Sequence, residues 1–180
     1  RSCTNRSTSS EQDEMRHWNN VLQQINALLL ENKARQTLDL AKQTLPEILE
    51  SAEKNGTTDT LIYYARKIFN ACGNNYINTK QYKDGIDYMD SIGNHPLIRE
   101  HCPHELLSFK AGLNQLYGNN PEAVRLAEDY LQLPVCTSAN DFIRQAEIIS
   151  GVYMYSGNKL PKAIQILEKA VDVCRKGGNF

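Results

Sequence analysis

Arg66-Lys67-Ile68-Phe69-Asn70-Ala71-Cys72-Gly73-Asn74-Asn75-Tyr76 is the stretch that decides the fold. Phe69 and Tyr76 bracket the small residues Cys72 and Gly73 at the three- and four-residue steps of one helical face. After a polar break, Tyr82, Gly85, Met89 and Ile92 repeat the same alternation of bulky and small on a second helical stretch. A small residue in mid-helix lets a neighbouring backbone approach, and the bulky ones on either side fill the seam so formed. Two consecutive helices of this kind predict a helical hairpin.

Working outward, apolar residues recur at helical period through most of the chain. The spacing predicts helices over Asp13–Glu31, Ala34–Lys54, Thr58–Thr79, Tyr82–Ile92, Pro103–Tyr117, Pro121–Leu131, Ser138–Ser156 and Pro161–Lys176. Asn55-Gly56, Gly93-Asn94-His95-Pro96, Gly118-Asn119-Asn120-Pro121 and Gly157-Asn158 separate them, and Pro121 and Pro161 suit a first helical turn. Pro46 falls inside a predicted helix and is expected to kink or break it near Leu45. Sustained alternation of the strand kind is missing, so the expected class is all-α. Residues 1–12 read as a disordered polar tether.

A chain of 180 residues holds one ordinary domain or a short array of repeats. Its 20 Lys and Arg against 21 Asp and Glu leave a net charge of −1, without the basic excess that a phosphate backbone attracts, so no nucleic-acid partner is expected. The longest nearly apolar stretch, Ile25–Leu30, is far short of the roughly 20 residues that span a bilayer. Cys3, Cys72, Cys102, Cys136 and Cys174 are scattered without a C-x-x-C pair, which argues against a disulfide scaffold or zinc ribbon. Cys102 and Cys136 both follow the second helix of a hairpin; a bond between them needs Cα atoms within about 7 Å. Cys72 and Cys174 lie on packing stripes and read as inert core thiols.

With Arg66 as position 1, Phe69, Cys72, Gly73, Tyr76, Tyr82, Gly85, Met89 and Ile92 fall where a tetratricopeptide repeat places its helix-packing residues. A unit from His104 puts Leu107, Ala111, Asn114, Gly118, Ala123, Ala127 and Tyr130 in the same frame, and one from Ile143 puts Ala146, Ile149, Ser150, Tyr153 and Gly157, then Ala163, Leu167 and Ala170. The chain therefore resembles the tetratricopeptide repeat family over 13–180. The resemblance implies a right-handed superhelix of about four antiparallel hairpins, near 13–54, 58–93, 103–131 and 138–176. The last helix carries an inner stripe of Leu160, Ala163, Ile164, Leu167, Ala170, Val171 and Cys174 and a second stripe of Ile166, Ala170 and Val173, from which the natural protein is expected to continue beyond Phe180.

No nucleophile elbow, zinc-protease helix or phosphate loop occurs, so the fragment is expected to be non-catalytic and no cofactor is implied. His95, His101, Cys102 and His104 form the one cluster with ligand chemistry, but their spacing does not suit a common ion, and no metal is assigned. An enzymatic or metal-binding use of this loop stands as an alternative. Asn70, Asn74 and Asn78 recur every four residues and make an amide stripe on one helix face, although asparagine is a poor helix former. The resemblance places them on the concave wall that tetratricopeptide proteins use for ligands, together with Lys67, Ser108, Gln115, Arg144, Glu147 and Tyr155, with Gly112 and Gly151 admitting a ligand backbone. Lys67 and Asn74 fit a carboxylate-clamping member of the family, but Asn70 replaces its lysine and Glu105 and Ser108 stand in place of its cations, so that specialisation is not expected.

Arg1-Ser2-Cys3-Thr4-Asn5 resembles the mature start of a bacterial lipoprotein, with Cys3 as the lipid attachment site. Start and repeat body together resemble the extracytoplasmic sensor region of bacterial membrane-anchored regulators of the histidine kinase type. They imply a protein or peptide partner and a place outside the cytoplasm. A structural envelope lipoprotein scaffold is the alternative.

Overall fold

The computed structural model describes residues 4–134 and 139–177. Among them every regular element is an α-helix: α1 (Thr4–Leu30), α2 (Ala34–Asn55), α3 (Asp59–Asn78), α4 (Tyr82–Ile92), α5 (Pro96–His101), α6 (Pro103–Tyr117), α7 (Asn120–Gln132), α8 (Ala139–Tyr155) and α9 (Leu160–Lys176). Chain neighbours pack in pairs, as an all-α array of helical hairpins requires. The chain divides into two compact units, Arg1–Thr79 and Lys80–Phe180. The boundary falls inside the predicted 58–93 hairpin, whose first helix belongs to one unit and whose second belongs to the other.

In the first unit α2 packs along both α1 and α3. Trp18, Val21 and Ile25 of α1 meet Leu38, Ala41, Leu45 and Ile48 of α2 and Leu61, Tyr64, Ile68 and Phe69 of α3 in one buried core. The Trp18 and Tyr64 rings are tilted with centroids 5.6 Å apart, an arrangement aromatic quadrupoles favour. Asn32 turns the chain between α1 and α2 at φ 56, in the left-handed region that asparagine tolerates. Thr58 begins α3, its hydroxyl accepting from Leu61 N at 3.2 Å.

Two stretches of this unit run on as helix. Helix α1 starts at Thr4, so the tether is not separate from the first helix over most of its length. Once Trp18, Val21 and Ile25 anchor the helix, each added polar residue gains a backbone bond without a new nucleation cost. Pro46 does not break α2, which runs on to Asn55. Its ring lies on the exposed side, so the carbonyl of Lys42 that loses its donor faces water, while Leu45, Ile48 and Leu49 stay buried.

In the second unit α6 pairs with α7 and α8 with α9, α6 also lies along α8, and α4 packs on α6. The core joins Ala111, Ala123, Leu126, Ala127, Tyr130, Phe142, Ala146, Ile149, Val152, Tyr153, Ala163 and Ile166. Gly85, Ala123 and Ala163, the small residues that carry the repeat, are all buried. Helix α5 replaces a predicted loop. Pro96 supplies its first turn, His95 Nδ1 accepts from Leu97 N at 3.2 Å, and Leu97 and Ile98 bury against the unit.

The expected inner stripe of α9 is divided: its Ala163, Ala170 and Cys174 are buried, joined by Ile166 of the second stripe, and its larger members Leu160, Ile164, Leu167 and Val171 turn outward, 39–56 % exposed. Two stripes of similar hydrophobicity one residue apart give periodicity no means of choosing; the position of α8 chooses.

Candidate functional site

The residues expected on one concave wall divide between the units. Lys67, Asn70, Asn74 and Asn78 lie on α3; Ser108 and Gln115 lie on α6; Arg144, Glu147 and Tyr155 lie on α8. On α3, Lys67 and Asn78 are exposed and Asn70 and Asn74 half-buried. The Lys67 ammonium stands 5.8 Å from the Tyr63 ring centroid, and Asn78 Nδ2 donates to Asn75 Oδ1 at 3.5 Å. Asn75, which the sequence reading passed over, is the amide that enters the core: it is 1 % exposed and donates to Ala71 O at 2.8 Å.

Asn114 does the same on α6, donating to Lys110 O at 2.8 Å while its Oδ1 accepts from Asn119 Nδ2 at 3.2 Å. A buried amide bonded to the carbonyl one turn back, just before the helix ends, is thus a feature of both α3 and α6. It pairs Gly73 with Gly112, not with Ala111 as the sequence register has it. The one-residue shift arises because the helix ends, at Thr79 and Gly118, set the frame more firmly than the small residues do.

Ser108 and Gly112 are corrections. Ser108 is fully buried and donates to Glu105 O at 3.0 Å, so it lines no open wall. Gly112 admits the protein's own packing and not a ligand backbone: a Cβ there would stand 2.6 Å from Ile148 Cγ2. The corresponding α8 residues are accessible. Glu147 is exposed and pairs with the half-buried Arg144 at 3.3 Å.

An accessible patch in the second unit gathers the ends of α6 and α8. Leu116 is 39 %, Tyr117 54 %, Met154 39 % and Tyr155 72 % exposed. Gln115 reaches across the helix seam, its Oε1 4.0 Å from the position of a Cβ on Gly151. Lys83 pairs with Asp87 at 2.6 Å, and this bond raises the pKa of its ammonium. The patch therefore offers two phenols, a thioether, a leucine and an amide to whatever meets it. Tyr117 was not singled out from sequence; its position at the last residue of α6, beside Leu116, was the available signal.

Elsewhere in this unit a cavity of about 520 Å³ is lined by His104, Tyr130, Phe142, Lys162, Lys169 and Asp172 among others. His104 Nε2 donates to Pro134 O at 2.5 Å and stacks edge-on to Tyr130, with centroids 6.0 Å apart. With His95 capping α5, His101 in its last turn and Cys102 fully buried, the histidine cluster has structural work at each position. Among the described residues no three His, Cys, Asp or Glu side chains are grouped to hold a metal ion. Cys3 and Cys136, and with them the lipid attachment and the Cys102–Cys136 bond, lie outside the described residues. Cys72 and Cys174 are buried as core thiols. Among the described residues no helix is long and apolar enough to cross a membrane.

Polar support comes from α7 to α9. Glu128 accepts from Lys162 at 2.7 Å and has Lys159 at 3.7 Å, which hold its carboxyl below the usual range, the bond to Lys162 contributing most. Tyr130 Oη donates to Gln145 Oε1 at 2.8 Å, tying α7 to α8. The buried Tyr153 hydroxyl has no hydrogen-bond partner among the described residues; burial pushes its pKa up, and the nearby Glu128 carboxylate adds to the effect.

Fold and site together define an all-α protein of paired helices with an accessible aromatic patch. No family model, curated protein or solved structure matches this chain.

Proposed function

We propose that this chain is a non-catalytic protein- or peptide-binding module of tetratricopeptide-like build, acting as the recognition part of a larger signalling protein. The observation that carries the binding reading is the patch of Leu116, Tyr117, Met154 and Tyr155 at the joined ends of α6 and α8, beside the Gln115 amide. Tyr and Met are the side chains that contribute large contact area to a partner, and a neighbouring amide fixes its backbone. The role in signalling rests on the resemblance of the repeat body and of the Cys3 start to membrane-anchored sensors.

The test is a random linear-peptide library panned against the 180-residue chain. Selected peptides should bind Tyr155→Ala and Leu116→Ser roughly tenfold more weakly, the size expected for losing one large apolar contact. Failure to enrich any peptide over an unrelated helical protein, or binders indifferent to both substitutions, would refute the assignment.

A further inference from the structure

Where α2 turns into α3, the first unit holds a cavity of about 280 Å³. Its origin is local. Asn55 ends α2, Gly56 turns the chain at φ 86 and Thr58 begins α3, while α1 runs on past this turn towards Thr4. One face of α1 therefore overhangs the turn, and the residues it carries at the three- and four-residue steps are Glu11, Glu14, Met15 and Trp18. All four line the cavity, together with Ser51 and Asn55 of α2 and Leu61 of α3.

The lining divides by chemistry. Trp18 and Leu61, 3 % and 6 % exposed, make an apolar floor with the half-buried Met15, whereas Glu11 and Glu14 bring two carboxylates. Glu14 is held in place: the buried Ser51 hydroxyl donates to its Oε2 at 2.9 Å, and Asn55 Nδ2 donates to Ser51 Oγ at 3.4 Å. No Lys, Arg or His among the described residues lines the cavity. The neighbouring basic residues are engaged elsewhere, Arg16 with Asp13 at 3.8 Å, His17 with Glu47 at 3.0 Å and Lys54 with Glu50 at 2.6 Å. Two negative charges thus border an apolar space without a basic side chain in its wall. An anion would be repelled, and a neutral apolar molecule would leave the charges unmet. A cation with an apolar body answers both, because carboxylates neutralise its head and an indole is the ring most attractive to it.

We infer that this cavity binds a small organic ammonium ion, its charged head at Glu11 and Glu14 and its apolar body on Trp18, Met15 and Leu61. The volume holds about nine water-sized groups at about 30 Å³ each, which suits a whole small amine; a lysine side chain reaching in from a protein would fill about half of it. The site belongs to the first unit and shares no residue with the patch at Leu116 and Tyr155, so either can fail alone.

Trp18 is the chain's one tryptophan, which makes its fluorescence a reporter of this cavity. Titration of the full 180-residue chain with phenethylammonium at neutral pH should give a saturable change in emission, and the uncharged phenethyl alcohol, of similar shape, should give none. Glu14→Gln and Glu11→Gln should each weaken binding roughly tenfold with unchanged circular dichroism, the loss expected for a charge-assisted contact. Glu11 is exposed, so its variant keeps the test readable if Glu14→Gln perturbs the fold. A blocked lysine, N-acetyl-lysine methylamide, should bind roughly tenfold more weakly than phenethylammonium because it leaves apolar lining uncovered. No saturable change, an equal response to the alcohol, or unaltered affinity in the well-folded glutamine variants would overturn the proposal. So would tighter binding of the blocked lysine, since the source would then be a protein side chain.

Discussion

Ile148 of α8 occupies the volume that a side chain on Gly112 of α6 would need: its Cγ2 lies 2.6 Å from the ideal Cβ position. The contact sets how closely two successive hairpins of the second unit approach. It also makes two mid-helix glycines, Gly112 and Gly151, respond oppositely to the same substitution.

Gly112→Ala should destabilise the protein by about 1–3 kcal/mol through overpacking. Gly151→Ala should stabilise it by about 0.5–1 kcal/mol, because it gains helix propensity and meets nothing. Urea unfolding followed by circular dichroism separates the two. In the Gly112→Ala, Ile148→Ala double variant the costs should be less than additive, as the residues share one space.

Tyr153 and Tyr130 are both buried, but the Tyr130 hydroxyl donates to Gln145 whereas the Tyr153 hydroxyl makes no hydrogen bond among the described residues. Tyr130→Phe should cost about 1 kcal/mol and leave the Gln145 amide oxygen without its donor. Tyr153→Phe removes a desolvated hydroxyl and should be neutral or stabilising by up to about 1 kcal/mol. A Tyr153→Phe chain that melts well below the parent would contradict this.

Glu128 has a lowered folded-state pKa, so its contribution is present above the unfolded carboxyl value of about 4.5 and is lost as pH falls through the lower folded value. The carboxylate is 37 % exposed, so screening limits the pair to about 0.5 kcal/mol at neutral pH. Glu128→Gln should destabilise slightly at neutral pH and flatten the acid limb of stability against pH. A variant whose acid limb matches the parent's would show that Lys162 and Glu128 do not couple.

Pro46 lies on the exposed side of an unbroken α2. Pro46→Ala restores a backbone donor for Lys42 O and should raise stability by about 1–3 kcal/mol. Thermal melts of the two chains give the answer directly.

The helices were legible in sequence because apolar period and turn residues act locally. Tyr82–Ile92 and Pro103–Tyr117 match the structure residue for residue. Helix α5 was hidden because a single turn held by Leu97 and Ile98 carries too little periodicity beside the turn signals Gly93-Asn94 and Pro96. The candidate wall was legible only in part. Ser108 and Glu147 are matched positions on successive hairpins, yet one is buried and the other exposed, and only the presence of a following helix makes the difference.

By itself, then, the sequence determined an all-α chain, the recurrence of its small residues and their burial at Gly85, Ala123 and Ala163, since helix period and side-chain volume are properties of short stretches. Tertiary structure alone decided which members of the two apolar stripes of α9 face inward, that Gly112 is filled and that Gly151 is open. Those choices depend on which helix lies next to which, and no local pattern encodes that.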